Sequence, residues 1–135
     1  MKKLIINTDG AARGNPGPAG IGVVIKDAKG VIVREIFEYI GETTNNQAEY
    51  KALLKALVAA GELGAEQIEI FADSELMVNQ LKGLYKVKNE GLRPLFNNAK
   101  ELLRKFKVCN IGYVPREKNK EADELANKAI DSRDL

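Results

Sequence analysis

The sequence predicts one α/β domain, residues 1–135, built on a five-stranded mixed sheet, and three observations carry that prediction. Three β-rich stretches joined by short links open the chain, so the sheet begins antiparallel. A strand–helix–strand unit follows, which requires a parallel pairing with a right-handed crossover. Two further segments repeat their apolar residues at helical spacing, and no internal repeat, linker or low-complexity tract interrupts the series.

Leu4, Ile5 and Ile6 form a short apolar run, read as a strand buried on both faces and ending in Asn7-Thr8-Asp9. Gly10 to Pro18 then reads as a glycine- and proline-rich loop whose backbone is held in turns and lies open to a ligand. Ile21–Ile25 is a second strand, Asp27-Ala28-Lys29-Gly30 a turn, and Val31–Tyr39 a third strand in hairpin relation to the second. Thr44 with Gln47 three residues on fits a capping box, and the helix it starts runs to about Gly61 with Ala48, Ala52, Leu53, Ala56, Leu57 and Ala60 on its apolar face. Gln67–Ala72 is a fourth strand, followed by a short helix over Glu75–Leu81 capped by Asp73 or Ser74. Gly83–Gly91 is a basic loop, Pro94 stands in the first turn of an amphipathic helix over Leu95–Phe106, and Val108–Val114 is the fifth strand. Asn119 caps a last helix with Ala122, Leu125, Ala126, Ala129 and Ile130 inward, and the tail from Asp131 to Leu135 is read as frayed.

Composition narrows the chemistry. The chain is 44% hydrophobic and 30% charged, within the range of globular proteins, and no apolar run approaches the ~20 residues of a membrane span. Met-Lys-Lys and three aliphatic residues are too few for a signal peptide, the lone Cys109 is read as a small core residue, and the cytoplasm is the default address. With no histidine in the chain, a His-based triad, a His zinc site and a His general base are all excluded. The net charge of +2 is unevenly spread: Lys82, Lys86, Lys88, Arg93, Lys100, Arg104, Lys105 and Lys107 stand against only Glu90 and Glu101 in one segment. A basic segment on an otherwise acidic domain fits contact with a polyanion, or else a solvated helix face.

Any catalysis must therefore rest mainly on carboxylates. Asp9 and Asp73 end two strands that the crossover allows to lie side by side and parallel, which places them ~5–10 Å apart. Glu49 lies in the first turns of its helix, on the face of Asn45 and beside Asn46, and Asp123 lies in the first turn of the last helix. Each acid alone has an ordinary explanation, since a helix N-terminus favours negative charge by ~0.3–1 kcal/mol. Converging at one sheet edge, they would repel and call for a divalent cation. Oxygen ligands without Cys or His select hard ions, Mg²⁺ or Mn²⁺.

Four segments in order carry a resemblance: Thr8-Asp9-Gly10-Ala11 with Gly14-Asn15-Pro16-Gly17, Thr43 to Glu49, Ala72-Asp73-Ser74, and Asn119 to Ala126. Through them the chain resembles type 1 ribonuclease H over nearly its whole length. The resemblance implies a ribonuclease H-like fold with helices on both faces of the sheet. It implies hydrolysis of the RNA strand of RNA–DNA hybrids by a two-metal mechanism, with two Mg²⁺ ions (Mn²⁺ as the alternative) and 3′-hydroxyl and 5′-phosphate ends. Asp9, Glu49, Asp73 and Asp123 match the metal-binding carboxylates. Gly10, Arg13, Asn15, Asn45, Asn46 and Ser74 match positions that meet the hybrid's backbone and minor groove without reading base sequence. No membrane and no obligate protein partner are implied.

Two departures from that family stand out. The loop histidine of many members is missing, and Arg116 in Pro115-Arg116-Glu117-Lys118-Asn119 is its stand-in, able to bind phosphate but not to shuttle protons at neutral pH. The tryptophan-bearing basic helix of some members is also missing, and Lys86 and Lys88, with Lys82 and Arg93, partly replace it. The same fold acting on duplex RNA or junction DNA is one alternative reading, and a non-catalytic hybrid- or duplex-RNA-binding module is another. The four acids weigh against the module, because a pure binder would gain by losing negative charge near phosphates.

Overall fold

The computed structural model describes residues 2–133, so Met1 and the last two residues of the tail predicted to fray lie outside the described residues. The strands are β1 (Lys3–Ala12), β2 (Gly17–Asp27), β3 (Ile32–Thr43), β4 (Gln67–Ala72) and β5 (Val108–Tyr113). The helices are α1 (Asn45–Glu62), α2 (Glu75–Leu81), α3 (Arg93–Leu103) and α4 (Lys120–Asp131), with a single 3-10 turn at Arg116–Lys118 that the sequence does not announce. One mixed sheet runs in the order β3-β2-β1-β4-β5, antiparallel among the first three strands and parallel from β1 to β5. No helix of the described residues is long and apolar enough to cross a membrane.

The first strand is longer than its apolar run. Gly10, Ala11 and Ala12 belong to β1, paired with β2 through Ala12↔Ala19, and only Arg13–Pro16 remain as a connection. Glycine and alanine look like loop in sequence, yet here they let another element come close. A Cβ on Gly10 would sit 2.2 Å from the Ala48 carbonyl carbon at the start of α1. Nor is β1 buried evenly, for Leu4 and Ile6 are inaccessible while Ile5 and Asn7 are half-buried. The third strand likewise runs on to Thr43.

Helix α1 begins as its signature predicts, with the Gln47 N–H donating to Thr44 Oγ1 at 3.2 Å. The Gln47 side chain does not return to Thr44, and accepts instead from the Thr43 hydroxyl. All six residues expected on the inner face are buried, and Leu53, Ala56, Leu57 and Ala60 among them share one core with Leu4, Ile6, Val23, Ile25, Ile68 and Ile70 of the sheet. Burying each large aliphatic side chain contributes ~1.5–3 kcal/mol, which makes this face the main attachment of the helix. Tyr50 donates its hydroxyl to Gln80 Oε1 at 2.6 Å, joining α1 to α2 inside the core. α3 packs on α1, starting two residues earlier and ending three residues sooner than expected, and Cys109 is half-buried at the rim of this core.

The opposite face of the sheet carries α4, seated on β2 where Gly20 and Gly22 leave no side chain in the way. Asn119 precedes α4 without capping it through its side chain. Its amide is drawn to β1 instead, donating to the Thr8 carbonyl at 2.9 Å and accepting from Asn7 Nδ2 at 3.0 Å. A buried amide with two partners on a neighbouring strand is worth more there than at a helix start open to water. Asp131 ends α4 and pairs with Arg13, so that part of the tail is ordered.

A Cβ at Gly22 would stand 2.2 Å from the Ala122 carbonyl oxygen and 2.7 Å from the Ala126 nitrogen. Gly22→Ala is expected to push α4 off the sheet and cost ~2–3 kcal/mol, read as a lower urea midpoint with an unchanged m-value.

Candidate metal centre and substrate cleft

The parallel register between β1 and β4 builds the site. Their last pair is Thr8↔Ala72, and the next residue on each strand is an aspartate, Asp9 and Asp73. Asp9 is therefore not at a strand end as expected; it lies inside β1, one step beyond the point where β4 stops. Glu49 reaches the same corner from the second turn of α1, and the Gly10 N–H donates to its Oε1 at 2.6 Å. The close approach of α1 at Gly10 makes that bond possible. One carboxylate oxygen from each of Asp9, Glu49 and Asp73 lies within 4.8 Å of the other two.

This corner is buried and short of donors. Asp9 is 2% exposed and Glu49 7%. Asp9 Oδ2 and Asp73 Oδ2 are inaccessible and have no hydrogen-bond partner. Burial, reinforced by the Glu49 and Asp73 charges, pushes the Asp9 carboxyl up to about 10. Burial and the Asp73 charge push Glu49 up to about 8, against the lowering effect of the Gly10 N–H. Orphaned, acceptor-only oxygens converging on one point fit a hard divalent cation, which would satisfy both the charge and the missing contacts.

Asp123 stands at the margin of this group. It adds to the upward push on the Asp9 carboxyl and lies 3.6 Å from Arg116 Nη2, but it does not enter the close triad. Arg116 projects from the 3-10 turn and is well exposed.

A cleft of about 620 Å³ opens over the acids. Of the expected site residues it brings together Asp9, Gly10, Arg13, Asn45, Asn46, Glu49, Asp73, Ser74 and Arg116. Asn15 is one step back, accepting from the Asn45 N–H at 3.1 Å, while Asn45 Oδ1 accepts from the Ala12 N–H at 2.8 Å. Those bonds clamp the β1–β2 connection to the start of α1. Ser74 accepts from the Met77 N–H as the cap of α2, and Arg13 is paired with Asp131 at 2.6 Å. Lys86 and Lys88 do not reach the cleft; they border a separate depression of about 390 Å³ with Tyr85 and Arg93, whose guanidinium donates to the Val87 carbonyl. Tyr113 and Asn127 line the cleft and were not anticipated. Asn127 had a sequence signal, since it stands one helical turn after Asp123.

Residues 7–129 match the reverse transcriptase-like family. Ribonuclease HI of Halobacterium salinarum is 48% identical over 123 residues, which cover 91% of this chain and 62% of that protein. Ribonuclease H of Prosthecochloris aestuarii is 35% identical over 144 residues, covering 96% of each. Among solved structures, LC11-RNase H1 in complex with an RNA/DNA hybrid superposes with a TM-score of 0.92 at 47% identity, covering 98% of this chain and 99% of that one. The chain thus spans less than two thirds of the halobacterial protein, and nearly all of the other two.

Raised acid pKa values make a prediction about stability. Between about pH 4 and pH 8–10 the folded acids hold protons that the unfolded chain has released. Their contribution is complete below pH 4 and is lost as pH rises through the folded values. Without metal, Asp9→Asn removes the cost of protonating a buried acid that the unfolded chain leaves ionised, and it is expected to raise stability by ~2 kcal/mol at pH 8 and by less at pH 5. Thermal melts in EDTA at the two pH values check this, and a gain equal at both would contradict the electrostatic origin.

Proposed function

The chain belongs to the ribonuclease H family, and from that premise we propose that it hydrolyses the RNA strand of RNA–DNA hybrids as an endonuclease. The observation that carries the reading is the triad of Asp9, Glu49 and Asp73, with two orphaned buried oxygens, at the foot of an open cleft. LC11-RNase H1, at 47% identity and almost full coverage, is seen with such a hybrid. We take residues 1–135 as one catalytic domain working in the cytoplasm, in keeping with the match over 7–129 and the single cysteine.

Asp9, Glu49, Asp73 and Asp123 would hold two divalent ions, Mg²⁺ or alternatively Mn²⁺. Ions held by these residues would supply activation of a water and neutralisation of charge on the leaving oxygen. The protein's own groups do the rest. Backbone from Gly10 to Arg13 and the amides of Asn45 and Asn46 face the cleft at the height of the acids, where neutral donors and acceptors suit a ribose 2′-hydroxyl and sugar–phosphate backbone. Asn15 acts from behind by fixing Asn45. Arg116, exposed beside Asp123, offers a permanent positive charge to a phosphate. Breaking the P–O3′ bond leaves a 3′-hydroxyl and a 5′-phosphate. Lys86 and Lys88 would meet the duplex outside the cleft, as a screened electrostatic contact.

A 5′-labelled RNA strand annealed to DNA, to RNA or to nothing, with Mg²⁺ or with EDTA, tests the assignment. Internal cuts are expected only in the hybrid with Mg²⁺, and Asp73→Asn is expected to slow them on the order of 10³-fold. Near-parent cleavage by that variant, or hybrid bound and uncut by the parent, would overturn the proposal. Lys86→Ala with Lys88→Ala should weaken hybrid binding a few-fold at low salt and little at high salt, with kcat unchanged.

A further inference from the structure

The fourth acid is held by a chain of contacts that the proposed chemistry leaves unused. Asp123, Asn127 and Asp131 follow one another at single-turn spacing along one face of α4. Asn127 Nδ2 donates to the Asp123 carbonyl at 3.0 Å and to Asp123 Oδ1 at 3.3 Å. Asn127 Oδ1 accepts from Arg13 Nη2 at 3.3 Å, and Arg13 Nη1 is paired with Asp131 Oδ1 at 2.6 Å.

From this we infer that Asn127 and Arg13 are positioning residues for Asp123, and that they set the affinity of the acidic corner for its divalent cation. The inference rests on reading that corner as a cation site. Asp9 and Glu49 are walled in by the core, whereas the Asp123 side chain is 26% exposed and has no such wall. A partly exposed carboxylate keeps several rotamers unless a neighbour selects one. Asn127 makes the selection, and Arg13 decides which way round it does so. A guanidinium only donates, so it holds the Asn127 carbonyl oxygen and turns the NH₂ group towards Asp123. With Asn127 and Arg116 both on Oδ1, the other oxygen of Asp123 is left for an ion. The same chain ties the fourth acid to the β1–β2 connection that carries Arg13, so movement of that connection against a ligand would reach the cation site.

Titrating metal-free protein with Mn²⁺, the free ion followed by electron paramagnetic resonance, tests this without any nucleic acid. Asn127→Ala is expected to raise the Mn²⁺ dissociation constant ~10-fold, and Arg13→Met to raise it less, in the same direction. Arg13 is exposed, so its variant keeps the test open if Asn127→Ala folds poorly. Unchanged Mn²⁺ affinity in both variants, alongside a parent that binds Mn²⁺, would overturn the positioning role and leave the cation site standing. A weaker KM for hybrid in Arg13→Met with unaltered Mn²⁺ affinity would assign Arg13 to the substrate and overturn the chain. A parent that takes up no Mn²⁺ would overturn the cation-site reading itself, and this inference with it.

Discussion

Repulsion among Asp9, Glu49 and Asp73 is the constraint on which the rest of the molecule depends. Three carboxylates whose oxygens lie within 4.8 Å cannot all stay charged in a buried corner unless protons or cations join them. Two of their oxygens have no donor at all, so the protein itself does little to relieve the repulsion. What it does instead is hold the acids in place from three directions that cannot readily move apart. β1 and β4 are locked in parallel register, and α1 is fixed to β1 by the Gly10–Glu49 bond.

That rigidity comes from close approach more than from bulk. At Gly10 the backbone of α1 occupies the space a side chain would need, and at Gly20 and Gly22 the backbone of α4 does the same on the other face. The sheet is thus gripped by two helices near the corner where the acids meet. Asn119 adds a tether from the start of α4 to the Thr8 carbonyl, one residue before Asp9. The amides of Asn15 and Asn45 tie the β1–β2 connection to α1. Asn119 is buried with its donors and acceptors matched, whereas Asn15 and Asn45 stand exposed at the cleft rim, so only the first gains from exclusion of water.

Much of this was legible from the chain. The element order, the mixed sheet and the Thr44 start of α1 follow from apolar period and turn residues, which act locally. The meeting of Asp9 with Asp73 follows from crossover topology. Elsewhere the deciding partner lies far along the chain. Gly10 to Ala12 have the composition of a loop, and only the arrival of α1 and β2 makes them strand. Asn119 looks like a cap because capping is local, but a carbonyl more than a hundred residues away claims it. Lys86 and Lys88 read as part of the site because charge is visible in sequence, while the path of the 83–92 segment that carries them elsewhere is not. Arg13 lines the cleft, but its pairing with Asp131 joins residues more than a hundred positions apart and has no local signal.

The distribution of charge follows from the same geometry. The acids sit in a corner enclosed by strands and helix backbone, and the cleft above them is edged by main chain, asparagine amides and two arginines. Each of those arginines already faces an acid of α4, Arg13 at Asp131 and Arg116 at Asp123, so little free positive charge remains beside the triad. The surplus of lysine and arginine lies instead in the 82–107 segment. A polyanion approaching this surface meets attraction at the flank and repulsion at the corner, and the corner becomes attractive only when cations occupy it. Lysines lodged near the triad would repel the cations, pair with the acids and compete for their oxygens. Keeping the two charge populations apart lets the acids remain available to an ion while the flank stays available to phosphate.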